Sequence, residues 1–202
     1  MFHILSIQCY SQIELSEIAV YEDTTISSKV QIVDFGKYKG FVFPKEYGLI
    51  KFSHPKDKRG YFDIDNILIH KIDNELMSQY YFAHKYFMEQ RYKEMYEYEK
   101  KYPGSYILKD LKKEETKYWK AFEKNRDKME EYLENSDRQY IGYISNKDEN
   151  IIEIQIVPHH YNYDDSFMKK GFAPIWLTED GSDIITMHYH LSTNKITLNE
   201  DF

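Results

Sequence analysis

Two charged, tyrosine-studded helical stretches in the middle of the chain constrain its fold more than anything else in it. The first runs from Glu75 to Tyr102. Met77, Tyr81, His84, Met88, Tyr92, Met95, Tyr98 and Tyr102 recur there at steps of three and four, which places them along one side of a helix. Asn74 is the expected N-cap, and Glu89/Lys93 and Glu97/Lys101 are four-apart ion pairs in the favourable order. Pro103-Gly104 breaks the pattern. The second stretch, Leu108 to Glu134, has its seam at Leu108, Leu111, Glu115, Tyr118, Phe122, Asn125, Met129 and Leu133. Glu115 and Asn125 make that seam wetter. The connection is short, so the two helices are expected to form an antiparallel hairpin whose seams face each other and a sheet.

Strand patterns lie on both sides of the hairpin. Before it come Phe2–Ile7, Glu17–Tyr21, Lys29–Phe35, Phe41–Phe43, Leu49–Phe52, Tyr61–Asp65 and Ile67–His70. After it come Tyr140–Ile144, Ile151–Val157, Ala173–Leu177, Ile184–Leu191 and Ile196–Leu198, with turn signals at Asn146–Asn150, Asp180-Gly181 and Ser192–Lys195. The expected class is α+β: an antiparallel or mixed sheet with a long two-helix hairpin inserted between N- and C-terminal strand groups. A length of 202 residues suits a single domain, 1–202, divided into a strand-rich part (1–74), the helical hairpin (75–137) and a strand-rich, acidic part (138–202).

Charge is distributed unevenly over these parts. The whole chain has a formal net charge of −7. Residues 1–74 and 75–137 contribute −1 each, and residues 138–202 contribute −5. A phosphate-binding face needs a basic surplus, so this distribution argues against direct nucleic-acid binding and favours a basic protein partner. The single cysteine, Cys9, excludes an intramolecular disulfide and points to a reduced, cytoplasmic setting. The first residues lack the basic stretch and long apolar run of a secretory signal, and no apolar run reaches membrane-spanning length.

Two constellations could carry chemistry. His188 and His190 alternate on a strand and share a face, and His159 and His160 follow a strand end. Imidazoles with Asp164 or Asp165 nearby would suit a divalent metal such as zinc or manganese, although histidine is also common on half-exposed strand faces. The second constellation is acidic and aromatic. Tyr161, Tyr163, Asp164 and Asp165 lie in one connection, and Glu179, Asp180 and Asp183 lie in the next. Tyrosine supplies rigid contact area and carboxylates steer cationic partners, so these residues are the expected partner-binding surface. Weaker features have plain structural alternatives: Asp63 and Asp65 as outward residues of an edge strand, His84 as a core histidine, Cys9 as a buried thiol. Glycine-rich phosphate loops, a nucleophile elbow and the H-E-x-x-H zinc motif are absent from the sequence.

In its organisation, as an acidic, tyrosine-rich single domain with acidic aromatic loops, the chain resembles the small bacterial immunity proteins of contact-dependent and polymorphic toxin systems. The resemblance implies a cytoplasmic, non-catalytic protein that neutralises a basic toxin by occluding its active site. It matches no motif and carries over no residue roles. The alternative is a metal-dependent enzyme using His159, His160, His188 and His190.

Overall fold

A computed structural model of the chain describes residues 27–51, 58–161, 163–171 and 184–198. Its elements in chain order are β1 (Gln31–Asp34), β2 (Lys39–Val42), α1 (Lys45–Lys51), β3 (Lys58–Phe62), α2 (Asn66–Lys101), α3 (Leu108–Lys124), α4 (Arg126–Glu134), β4 (Ser136–Ser145), β5 (Asn150–Pro158), α5 (Asp165–Lys170), β6 (Ile185–His190) and β7 (Lys195–Leu198). The strands form one mixed sheet in the order β1-β2-β4-β5-β6-β7. The α+β class and the insertion of the helices between two strand groups are as expected from the sequence.

β4 organises the sheet. One of its edges pairs with β5 from Ser136 to Ile144. The other edge changes partner midway: Arg138–Tyr140 pair with β2 in parallel, and Gly142–Ser145 pair with β3 antiparallel. The parallel β2–β4 pair is what makes the sheet mixed.

Strand alternation sends apolar residues to both faces. On one face Tyr140, Ile152, Ile154, Ile156, Met187, Tyr189, Ile196 and Leu198 pack under Ile69, Ile72, Leu76 and Tyr80 of α2 and Leu133 of α4. On the other, Phe41, Phe43, Ile141 and Val157 pack with Tyr47 of α1 and Met168 of α5. The sheet is therefore buried on both sides, which is why β5 reads as a nearly continuous apolar run.

Several sequence-based expectations are corrected. The first helix begins at Asn66, not near Glu75. Asp65 is its N-cap, with Oδ1 accepting from the Leu68 N–H at 2.7 Å, so Ile67–His70 are its first turns and not a strand. Asp63 is likewise no strand residue: it accepts from the Lys45 N–H at 3.0 Å and pairs with its ammonium at 3.1 Å. Leu49 belongs to α1. The second helical stretch is two helices, because Asn125 (φ −100°, ψ 18°) ends α3 and starts α4. The strands expected at Phe2–Ile7, Glu17–Tyr21 and Ala173–Leu177, together with Cys9, lie outside the described residues.

α2 has 36 residues, about 54 Å of helix at 1.5 Å per residue. Its first half lies on the sheet. Further along, its packing against α3 is aromatic and follows the expected seams. Tyr81 and His84 meet Phe122 at ring distances of 5.0 and 5.4 Å, and Tyr92 meets Tyr118 and Trp119 at 5.8 and 6.2 Å. Hydroxyls bond carboxylates across the hairpin: Tyr96 donates to Glu115, a polar interruption of the seam, and Tyr81 to Glu123, each at 2.7 Å. At the hairpin tip the Glu99 carboxylate accepts from the N–H groups of Gly104 and Tyr106 at 2.8 and 2.6 Å, and Gly104 takes a positive φ of 94°. No helix among the described residues is long and apolar enough to cross a membrane.

Candidate functional site

The acidic, aromatic residues singled out in the sequence gather at one end of the sheet. β5 ends at Pro158, and His159–Tyr161 form a single 3-10 turn. The chain then enters α5, with Asp164 as N-cap: its Oδ1 accepts from the Phe167 N–H at 2.8 Å and the Ser166 hydroxyl at 2.7 Å. Those bonds hold the Asp164 carboxyl below its usual range, the Phe167 N–H contributing most. Tyr161, Tyr163 and Phe167 stack in sequence, with ring centroids 5.5 and 4.1 Å apart and interplanar angles of 12° and 24°. His160 lies against Tyr161 at 4.4 Å.

The start of β4 and the β1–β2 turn complete this end. Asp137 accepts from the Lys39 N–H at 2.7 Å and bonds the His159 ring at 3.1 Å. The Lys39 ammonium bonds both oxygens of Asp165 at 2.8 Å, and that bond raises the lysine above its ordinary pKa. Lys37 pairs with Glu134 at 2.6 Å, and Asp34 accepts from the Gly36 N–H at 2.7 Å. Asp34, Asp137 and Asp165 thus gather around Lys39, and Asp164 lies beside a half-exposed aromatic stack within reach of the Lys170 charge, while the Lys37–Glu134 pair belongs to the α4 side of the sheet. Asp164 and Asp165 are not free charges, however. One caps a helix and the other is paired, so the tyrosines carry more of the available contact area than the sequence suggested. Glu179, Asp180 and Asp183 lie outside the described residues.

The four histidines of the alternative reading are not brought together. His188 stands opposite Glu153 in the β5–β6 register. His159 lies six positions beyond Glu153, just past the end of β5, which is roughly 20 Å of extended chain. His188 is buried on the α1/α5 side, edge-on to Tyr143 at 6.0 Å. His190 bonds Thr197 at 3.1 Å and lies 3.8 Å from Glu149. No group of three or more metal-ligating side chains occurs among the described residues.

Two features escaped sequence reasoning. The first is a buried charge network on the α2 side of the sheet. Arg138 is fully buried, with Nε 3.2 Å from Asp73 Oδ1 and its guanidinium 3.6 Å from the Tyr38 ring centre. Tyr38 and Tyr140 donate to the two oxygens of Asp73 at 2.8 and 3.4 Å. Burial pushes the Tyr38 phenol up to about 12, opposed by the Arg138 charge and reinforced by its bond to Asp73. The only signal available was the parity that puts Arg138 on the same strand face as Tyr140. The second is a groove of about 1040 Å³ between α2 and β7, walled by Phe82, Tyr86 and Phe87 on one side and Ile196 and Leu198 on the other.

No family model matches the chain, and neither does any curated protein or solved structure.

Proposed function

We propose that this chain is a non-catalytic protein-binding protein that engages a basic partner through the acidic end of its sheet. The nearest functional analogy is an immunity protein covering the active site of a toxin. One observation carries the reading: Asp34, Asp137 and Asp165 gather around Lys39 at the end of the sheet where Asp164 caps the helix that carries the Tyr161–Tyr163–Phe167 stack onward. Aromatic anchors ringed by like charge are what a steered, high-affinity interface needs. The rings supply desolvated contact area, and the charges raise the encounter rate with a cationic surface. Asp34, Asp137 and Asp165 outnumber the Lys39 ammonium they surround, a local negative surplus that biases the approach of a cationic surface.

The test is co-purification from a lysate and calorimetric titration with the product of an adjacent reading frame, if one encodes a basic toxin-like protein. Tyr163→Ala and Tyr161→Ala should each weaken binding about tenfold or more, since hot-spot truncations exceed roughly 1.4 kcal/mol. Raising salt should slow association more than it speeds dissociation. Wild-type affinity in both tyrosine variants would place the interface elsewhere. A partner that is itself acidic would remove the electrostatic basis of the proposal.

A further inference from the structure

The near-neutral total charge of the hairpin conceals a segregated one. With 3.6 residues per turn, Lys109, Lys113, Lys117, Lys120 and Lys124 fall within an arc of about 80° on α3. All five are exposed, and Leu111 and Phe122 occupy the buried side of the same helix. The ridge is straight, about 22 Å long, with successive lysines about 4.5 to 6 Å apart along the axis. None of the five is in an ion pair among the described residues. By contrast Lys29, Lys37, Lys39, Lys45, Lys58 and Lys71 around the sheet each have a carboxylate partner. Of the α3 carboxylates, Glu115 and Glu123 are drawn toward α2, where Tyr96 binds Glu115 and Tyr81 and Lys85 bind Glu123, while Asp110 and Glu114 flank one side of the ridge. Like charges four apart cost a helix a few tenths of a kcal/mol per pair. An anion laid along the ridge would relieve that repulsion.

At the Lys109 end of the ridge the hairpin tip presents three tyrosine faces. Tyr98, Tyr102 and Tyr106 are 52%, 48% and 39% exposed, and Tyr98 lies 4.9 Å from Tyr102 and 6.1 Å from Tyr106. The Lys101 ammonium sits 5.1 Å from the Tyr102 ring centre.

From this juxtaposition we infer that the α3 lysine ridge and the tyrosine tip form a binding surface for single-stranded nucleic acid. The occupant is set by shape and charge together. A straight row of evenly spaced cations matches a phosphodiester strand, itself a linear polyanion. A lipid surface would call for apolar anchors within the lysine arc, and the arc contains none. Exposed tyrosine faces beside the row provide stacking platforms for unpaired bases, which a duplex does not offer. The ridge has no arginine and no amide side chain, so it holds the backbone without reading sequence. The whole-chain charge of −7 opposes the approach of a polyanion, so binding is weak at physiological salt and steeply salt-dependent. This surface is separate from the acidic end of the sheet and does not depend on the partner proposed there.

Fluorescence anisotropy with the full chain and labelled oligo(dT) or oligo(U) of roughly twenty nucleotides tests it. If all five lysines engage phosphates, log affinity should fall with log salt at a slope of about −3.5. Changing Lys113, Lys117 and Lys120 together to Gln keeps helix propensity and should weaken binding at least tenfold while flattening the slope by about 2. Tyr102→Ala should weaken binding and leave the slope unchanged. Circular dichroism melts of both variants exclude misfolding as the cause. The inference is overturned by absence of binding at about 50 mM salt, by a triple variant that binds like wild type, or by equal affinity for a duplex of the same length. It is also overturned if phosphatidylserine vesicles, and not the oligonucleotides, are what the triple variant loses.

Discussion

At the scale of single residues, Arg138 is the most consequential side chain that the sequence did not reveal. It lies on a strand between Asp137 and Gln139, and nothing in one-dimensional spacing pairs it with Asp73, 65 positions earlier. The pairing exists because α2 crosses the sheet just where Arg138 and Tyr140 point toward it. Taking one member away strands the other in a dry site. Arg138→Met alone should therefore cost about 3–5 kcal/mol in denaturant unfolding, whereas Arg138→Met combined with Asp73→Leu should recover most of that loss. A double variant no more stable than the single would mean that the pair is not coupled. Tyr38 adds a pH signature. Its phenol is pushed up to about 12, above the ordinary value of 10.0, and burial also takes Tyr61 and Tyr118 to about 12. A raised phenol pKa stabilises the fold below pH 10 and loses that contribution as pH rises through about 12. The melting temperature should hold up to about pH 10 and fall steeply above it, with tyrosinate absorbance appearing together with unfolding. Tyrosinates that appear in full near pH 10 while the fold stays intact would contradict the burial of these phenols.

At the scale of elements, the sequence disclosed the helices better than their ends. The seam of α2 and its match to α3 were legible because steps of three and four are a property of the chain itself. Its true beginning was not. Ile67 and Ile69 are β-branched and read as strand, but Asp65 caps the helix, Ile69 turns into the core with Ile72, and Ile67 is left 84% exposed. Asp65→Ala should cost about 1 kcal/mol, read as an earlier urea midpoint at unchanged slope. The seam carries a titratable residue as well. His84 is half-buried against Tyr80 and Phe122, Tyr118 lies 3.2 Å from its Nε2, and burial lowers its pKa below 6.5. A depressed imidazole pKa favours the neutral ring, so its stabilisation is present above pH 6.5 and is lost as pH falls through the folded value. An NMR titration of the His84 ring should show a midpoint below 6.5. A midpoint at or above that value would mean that the seam is open to water.

At the scale of the whole molecule, charge is arranged in opposed regions that a chain total cannot disclose. The acidic sheet end was visible in part, since Asp164 and Asp165 stand beside tyrosines in sequence. Its other members, Asp34 and Asp137, arrive from distant segments through pairing of β1, β2 and β4. The lysine ridge was hidden by averaging, because glutamates alternate with lysines along α3 and separate from them only around the helix. Topology was the least legible feature. Apolar runs identify strands but not neighbours, and the parallel β2–β4 pair depends on a long return path through α1, β3 and the helices. The point where β4 exchanges partners makes that topology testable. Tyr140 pairs with Val42 of β2, and two residues later Gly142 pairs with Phe62 of β3. A Cβ built on Gly142 would lie 2.7 Å from the Phe62 ring and 2.8 Å from the Phe62 carbonyl oxygen. The ring could turn aside, but the carbonyl belongs to the paired backbone and moves only with β3. Gly142→Ala should therefore cost about 1–3 kcal/mol and raise amide exchange in β3 before β5. Gly60→Ala is the matched control, because its Cβ would meet only Ile144 at an ordinary 3.8 Å. Gly60 pairs with Ile144 in the same β3–β4 ladder, so a generic loss of glycine freedom would affect both variants alike. Destabilisation confined to Gly142→Ala would locate the constraint at the partner exchange itself, and equal behaviour of the two variants would remove β4 from its place as the strand on which both halves of the sheet are aligned.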